Sequence, residues 1–216
     1  MHHNRIFHPL MTFLAFAILA VSPAPAVHAD ANSPGASAAV TAAPAAPVGY
    51  RADMLTWINQ AQSELEQLAA AMPADKYSWR PGKGVRSVGE VYLHVAQANF
   101  GLPGFIGVQP PAGFKFEGYD TSMTAKADIQ KALHDSFEHV KKAFTAASEA
   151  DLDKSVELFG NKSTARNIYM LLLSHAHEHL GQSIAYARMN GVVPPWTEAR
   201  NAAIKKAMEK PAAEKK

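Results

Sequence analysis

Apolar residues recur at alternating steps of four and three positions in four long segments of the chain, as they do along one face of an α-helix. The clearest series begins at Met54 and continues through Ile58 to Met72. The four predicted helices run from about Arg51 to Met72, from Ser87 to Gly101, from Thr124 to Ala147, and from Ser163 or Thr164 to Asn190. Because the rest of the sequence carries little strand signal, the pattern predicts an all-α fold.

Residues that favour helix ends flank these segments. Pro73 ends the first helix, and Ser87 with Glu90 forms a capping box at the start of the second. Gly191 is well placed to cap the end of the fourth helix, and Pro194–Pro195 blocks its continuation. Four amphipathic helices of this kind predict a four-helix bundle with crossing angles of about 18–20°.

The longest connection joins the second and third helices. It contains more aromatic residues than a solvated loop requires, namely Phe105, Phe114, Phe116 and Tyr119. We therefore expect this connection to fold over one end of the bundle.

The N-terminal residues have the pattern of a secretory signal peptide. Arg5 precedes an apolar stretch from Leu10 to Ala20, and small residues follow up to Ala29. The apolar stretch is shorter than the roughly 20 residues that span a bilayer. We therefore predict a cleaved signal peptide over residues 1–29, no stable membrane insertion after cleavage, and a periplasmic or secreted mature protein.

Two further segments are too poor in large apolar side chains to form a core. Residues 30–49 are rich in Ala and Pro and predict a flexible linker. Residues 201–216 are rich in Ala, Lys and Glu and predict a charged tail, in which a fraying helix end is followed by a disordered segment. The predicted bundle domain therefore comprises residues 50–200.

Composition excludes several kinds of function. The formal net charge is +2, and no basic stripe interleaved with aromatic residues occurs, so nucleic-acid binding has no support. The chain has no cysteine, which excludes disulfides, thiolate catalysis and cysteine-ligated zinc.

Three histidines are candidates for metal ligands. His175 and His179 are four residues apart and share the apolar face of the fourth helix, where unpartnered imidazoles would be costly to bury. His94 lies on the inward face of the second helix, and ligands on facing helices of a bundle meet in the core. Three neutral histidines leave coordination positions open, as in catalytic metal sites.

The other histidines of the bundle fit a metal site less well. His177 is about 200° around the helix from His175 and is predicted to be exposed. His134 and His139 are five residues apart, share no face, and are expected to be solvated. A core histidine that is merely hydrogen-bonded remains the alternative interpretation for each of the three candidate ligands.

The sequence around His175 also matches the H-x-x-E-H signature of inverzincin proteases, with Glu178 as general base. Few residues follow to supply an acidic ligand, and no strands are predicted to hold a peptide. We therefore favour a supporting or salt-bridging role for Glu178. Gln182, one turn beyond His179, is a candidate for orienting a ligand or a bound water, and Gly181 for permitting close approach of another helix.

Several short motifs together resemble the DinB/YfiT-like family of metalloenzymes. They are Tyr77-Ser-Trp-Arg-Pro81, Ser87-Val-Gly-Glu90 with His94, and His175-x-x-x-His179-Leu-Gly-Gln182. The stretch from Leu173 to Trp196 is similar to the exported branch of that family. The resemblance implies an antiparallel four-helix bundle with a long helix 2–helix 3 crossover, often dimeric. It also implies one divalent metal ion, zinc or nickel above others, bound by His94, His175 and His179.

The resemblance leaves the reaction open, because members of the family include thiol-dependent transferases, isomerases and hydrolases. One hypothesis is a metal-dependent hydrolase or transferase that acts on a small molecule. The other is a protein in which a metal only joins two helices. Export into a compartment poor in low-molecular-weight thiols argues against thiol transfer.

Overall fold

The computed structural model describes residues 49–209, which all belong to one compact unit. Four long helices form the bundle: α1 (Tyr50–Ala71), α2 (Val88–Gly101), α3 (Lys126–Ala146) and α5 (Ala165–Met189). The smaller elements are α4 (Glu149–Leu152), β1 (Ser155–Leu158), β2 (Asn161–Thr164) and α6 (Pro195–Glu209). The predicted all-α four-helix bundle with a long crossover is confirmed.

Side-chain contacts give the direction of each helix. Arg51 near the start of α1 reaches Thr145 at the end of α3, whereas Gln62 reaches Glu138, so α1 and α3 are antiparallel. In the same way α2 and α5 are antiparallel, since the start of α2 contacts the end of α5. In contrast, α2 and α3 run in parallel, which requires residues 102–125 to return along the whole bundle.

The inward faces agree closely with the apolar periodicity. The apolar series of the first predicted helix is buried throughout, as are Ile129, Leu133 and Phe137 of α3. That series consists of Met54, Ile58, Ala61, Leu65, Leu68 and Met72. On α5 the inward face runs from Ile168 to Tyr186 and does not include Met189, which is 63% exposed. The stripe ends one turn early because the last turn of α5 extends beyond the core.

The region between α3 and α5 differs from the prediction. The antiparallel strands β1 and β2 form a hairpin there, with Ser155 opposite Thr164 and Leu158 opposite Asn161. Phe159 and Gly160 form its turn, and both have positive φ angles, as a two-residue turn of type I′ requires. The predicted start of α5 is correct, since the Thr164 hydroxyl accepts a hydrogen bond from the Asn167 amide.

The structure describes only part of the two ends of the chain. The predicted signal peptide, residues 30–48 of the predicted linker and residues 210–216 of the predicted tail lie outside the described residues. Residues 201–209, the first part of the predicted charged tail, are helical and belong to α6. Among the described helices, none has both the length and the apolar character needed to cross a membrane.

Candidate metal centre

Local interactions fix the position of α2, which carries His94. The Ser87–Glu90 capping box is formed, and the amides of Val88 and Gly89 donate to the carbonyls of Trp79 and Tyr77. A Cβ at Gly89 would lie 2.9 Å from Ile129 Cδ1, so α2 starts in close contact with α3. These bonds fix the connection from Trp79 into α2.

The three candidate ligands converge between α2 and α5. The Nε2 atom of His175 lies 3.2 Å from His94 Nε2 and 3.1 Å from His179 Nε2. Nitrogens bound about 2.0–2.1 Å from a tetrahedral zinc lie about 3.3 Å apart. The spacing of the three imidazoles therefore fits a single ion, and all three ligand atoms lie within 4.8 Å of one another.

A backbone carbonyl fixes the tautomer of His94. The Gln97 side-chain amide donates to the Phe116 carbonyl, so its Oε1 atom faces His94 and accepts from Nδ1 at 3.1 Å. His94 therefore carries its proton on Nδ1 and presents a lone pair at Nε2.

A longer hydrogen-bonded chain fixes the tautomer of His179. The Tyr186 hydroxyl donates to the Arg86 carbonyl at 3.2 Å and accepts from Gln182 Nε2 at 2.9 Å. Gln182 Oε1 then accepts from His179 Nδ1 at 2.8 Å. Because a carbonyl can only accept, the direction of every bond in this chain follows, and His179 also presents a lone pair at Nε2.

The three imidazole rings have too few N–H protons to hydrogen-bond with one another, which explains why a cation fits this site. His94 and His179 both direct lone pairs at His175, whose Nε2 has at most one proton to donate. Only one of the two short contacts can then be a good hydrogen bond, and the buried Nδ1 of His175 has no hydrogen-bond partner among the described residues. A divalent ion would instead accept lone pairs from all three nitrogens.

The pKa values favour the neutral imidazoles that bind metals. Burial, followed by the charges of His179, His94 and Arg86, lowers the pKa of His175 from 6.5 to about 4. Burial also lowers the pKa of His94, an effect that the hydrogen bond to Gln97 opposes and the charge of Arg86 reinforces. Both side chains are therefore neutral near pH 7.

The other predicted residues have separate environments. Glu178 is exposed and makes no hydrogen bond or ion pair with the described residues, whereas Gln182 contacts His179 as predicted. A Cβ at Gly181 would meet nothing within 4 Å, so the predicted close helix approach there is wrong. His177 is exposed, as expected, and lies beside Trp57.

The two histidines of α3 differ from each other. His134 is exposed as predicted and pairs with Glu66 at 3.0 Å. The prediction that His139 is solvated is wrong: its ring packs against Phe100 and its Nε2 atom is buried without a hydrogen-bond partner among the described residues. Burial lowers its pKa, reinforced by the charge of Lys142.

Sequence reasoning missed Gln97 and Arg86 as parts of the site. Gln97 follows His94 by three residues, as Gln182 follows His179, so the repeated spacing was a usable signal. Arg86 has no such signal, because its proximity to the histidines depends on how the chain enters α2.

The fold and the site define an α-helical bundle whose three-histidine centre has the geometry to hold a metal. The sequence profile of the DinB superfamily matches residues 58–183, more than half of the chain. The chain therefore belongs to the DinB superfamily. A search of curated proteins found no significant match.

Solved structures agree with this assignment at the level of the fold. A DinB-like protein from Bacillus cereus is 17% identical, with a TM-score of 0.59 and coverage of 66% of this chain and 93% of that one. The DinB-like protein YjoA from Bacillus subtilis is 20% identical, with a TM-score of 0.52 and coverage of 64% and 92%. YfiT from Bacillus subtilis, described as a probable metal-dependent hydrolase with an unusual four-helix bundle topology, is 13% identical, with a TM-score of 0.55 and coverage of 69% and 94%.

Proposed function

We propose that this chain is an exported metalloenzyme that binds one divalent ion through His94, His175 and His179 and hydrolyses, or transfers a group on, a small molecule. The observation that carries the proposal is that the Nε2 atoms of His94 and His179 lie 3.2 and 3.1 Å from His175 Nε2, with the lone pairs of the first two fixed by hydrogen bonds at their Nδ1 atoms. The description of YfiT as a probable metal-dependent hydrolase supports the same reaction class.

An ion held by three imidazoles would supply Lewis acidity, which polarises a substrate oxygen or lowers the pKa of a water molecule. The chain's own contribution is orientation. Gln97 and Gln182 hold two rings in the tautomer that binds metal, and such supporting contacts typically affect metal affinity about 10- to 100-fold. Imidazole ligands suit zinc and nickel, the two ions that we propose.

The first test is the metal content of the full-length, exported protein purified in the presence of zinc or nickel. We expect about one ion per chain in the wild type and almost none in His175→Ala. His177→Ala is the matched control. His177 lies on the same helix as His175, but it is exposed and does not contact the three candidate ligands. Wild-type protein without bound metal, or equal metal in His175→Ala, would overturn the proposal.

A second test separates catalysis from a structural role. An ion that ties α2 to α5 without doing chemistry would stabilise the fold, yet give no turnover. We expect the loaded wild type, but not His175→Ala, to turn over members of an ester and amide panel. Full metal occupancy without turnover of any ester, amide or thiol-transfer substrate would instead favour the structural ion.

A further inference from the structure

Arg86 lies at the junction between the candidate metal centre and the crossover. It precedes Ser87, the N-cap of α2, and its carbonyl accepts the hydrogen bond that ends the chain from His179 through Gln182 and Tyr186. Its backbone is therefore connected to one of the three imidazoles by hydrogen bonds.

The Arg86 side chain is held at one nitrogen only. Nε donates to Asp120 Oδ2 at 3.0 Å, which anchors the guanidinium to the crossover. The two terminal nitrogens make no hydrogen bond to the described residues, and the side chain is 41% exposed. The planar pair of donors that suits a carboxylate or a phosphate is thus available to a ligand.

Both contacts that hold Arg86 lead to the surroundings of the three-histidine centre. Its carbonyl is joined by the hydrogen-bonded chain to His179, and its partner Asp120 lies in the crossover, four residues after the carbonyl that holds Gln97 against His94. A guanidinium in this position repels a metal cation bound by the histidines, and the Asp120 carboxylate offsets part of that repulsion. A protein that only stored a cation would bind it more tightly without Arg86, whereas a site that also receives an anion benefits from both positive charges.

We propose that the substrate of this centre carries an anionic oxygen group, a carboxylate or a phosphate, which the terminal nitrogens of Arg86 bind beside the three histidines. This inference rests on the proposed function, because it assumes an ion on His94, His175 and His179. Asp120 positions Arg86 for this role, and a neutral analogue of the substrate would leave the two terminal nitrogens of Arg86 without a charged partner.

The test measures two affinities of the full-length protein by calorimetry: that for Co²⁺ alone, and that of the Co²⁺-loaded protein for inorganic phosphate and for acetate. In Arg86→Gln we expect Co²⁺ to bind as tightly as in the wild type or more tightly, because a repulsive charge is removed. We expect anion affinity to fall about 10- to 100-fold, the loss typical of a paired, charge-assisted hydrogen bond. Phosphate and acetate separate a preference for one anion from a general one.

Lys83→Gln is the matched control, since Lys83 lies in the same connection, is exposed, and loses the same charge on substitution. It should leave both affinities unchanged. Arg86→Lys keeps the charge but loses the planar pair of donors, so it should bind Co²⁺ normally and the anions less tightly than the wild type. This variant also decides the question if Arg86→Gln fails to fold.

The outcomes distinguish the two proposals. If wild-type protein binds no Co²⁺, the proposed function fails and this inference fails with it. If Co²⁺ binds and anion affinity is the same in the wild type and the Arg86 variants, only the role of Arg86 is overturned. A parallel loss of both affinities in the Arg86 variants would assign Arg86 a structural role and would likewise overturn the inference.

Discussion

At the scale of single residues, the candidate centre contains the same local hydrogen-bonded arrangement twice. A glutamine three positions after a histidine accepts from its Nδ1 atom, once at His94–Gln97 and once at His179–Gln182. Each glutamine is held in turn by a group outside its own turn of helix, the Phe116 carbonyl or the Tyr186 hydroxyl. Two of the three lone pairs are therefore aimed before any ion binds, which reduces the ordering that binding requires.

This arrangement predicts the effect of replacing Gln182. Gln182→Leu removes the acceptor of His179 Nδ1 and leaves that proton buried without a partner, so metal affinity should fall about 10- to 100-fold. Gln182→Glu keeps an acceptor oxygen at the same place and should retain most of the affinity. Competition with a chromophoric chelator measures both. Equal affinity in the leucine variant and the wild type would show that the glutamine does not orient the ligand.

The sequence reveals the imidazoles better than it reveals their surroundings. The spacing of four residues places His175 and His179 on one face whatever the rest of the chain does, and the apolar stripe shows that this face points inward. The partner of Gln97 could not be found in this way, because the Phe116 carbonyl reaches it only through the path of the crossover. His139 was misjudged for the same reason, since the packing of Phe100 against its ring is a long-range contact.

At the scale of elements, two helical glycines have opposite environments. Gly89 sits at the start of α2, where a Cβ would lie 2.9 Å from Ile129 Cδ1 and 3.3 Å from the Tyr77 carbonyl oxygen. Gly181 sits inside α5, is exposed, and has open space around it. Close packing therefore explains why the chain has a glycine at Gly89, but it does not explain the glycine at Gly181.

The contrast predicts stability changes of opposite sign for the same substitution. Gly181→Ala should raise the free energy of unfolding by about 1 kcal/mol, because alanine is the better helix former and meets nothing. Gly89→Ala should lower it by about 1–3 kcal/mol, because α2 must move away from α3 or the buried Ile129 must change rotamer. Denaturant unfolding of the metal-free variants measures both. A Gly89→Ala protein as stable as the wild type would contradict the close contact.

The hairpin shows why short elements were harder to predict than long ones. Each strand has four residues, too few for an alternating pattern to stand out from the neighbouring helices. Its turn is Phe159–Gly160 rather than the Asn–Gly or Asp–Gly pair that marks a type I′ hairpin. The four bundle helices, with 14 to 25 residues, contain several repeats of their apolar period and were placed to within a residue or two at most ends.

At the scale of the whole molecule, the direction of the helices gives the crossover a part in the site. Because α2 and α3 run in parallel, residues 102–125 must pass back along the bundle, and this path brings them alongside α2. The crossover then supplies the Phe116 carbonyl to Gln97 and the Asp120 carboxylate to Arg86. The expectation that this connection folds over one end of the bundle rested on its aromatic residues, whereas its contribution to the site comes from a carbonyl and a carboxylate alongside α2.

An ion held between α2 and α5 would link two parts of the fold that lie 81 residues apart in sequence, His94 and the pair that begins at His175. Ligand that binds only the folded state adds about 2.7 kcal/mol to the free energy of unfolding when present at 100 times its Kd. For a domain of this size, that corresponds to about 5–10 °C in melting temperature.

We therefore expect a chelator to lower the melting temperature of the zinc-loaded wild type and of His177→Ala by about this amount. His175→Ala should melt at the same temperature with or without chelator, because it has lost the link between the two helices. A chelator shift of equal size in His175→Ala would mean that the stabilising ion binds elsewhere, and the assignment of the three histidines would fail.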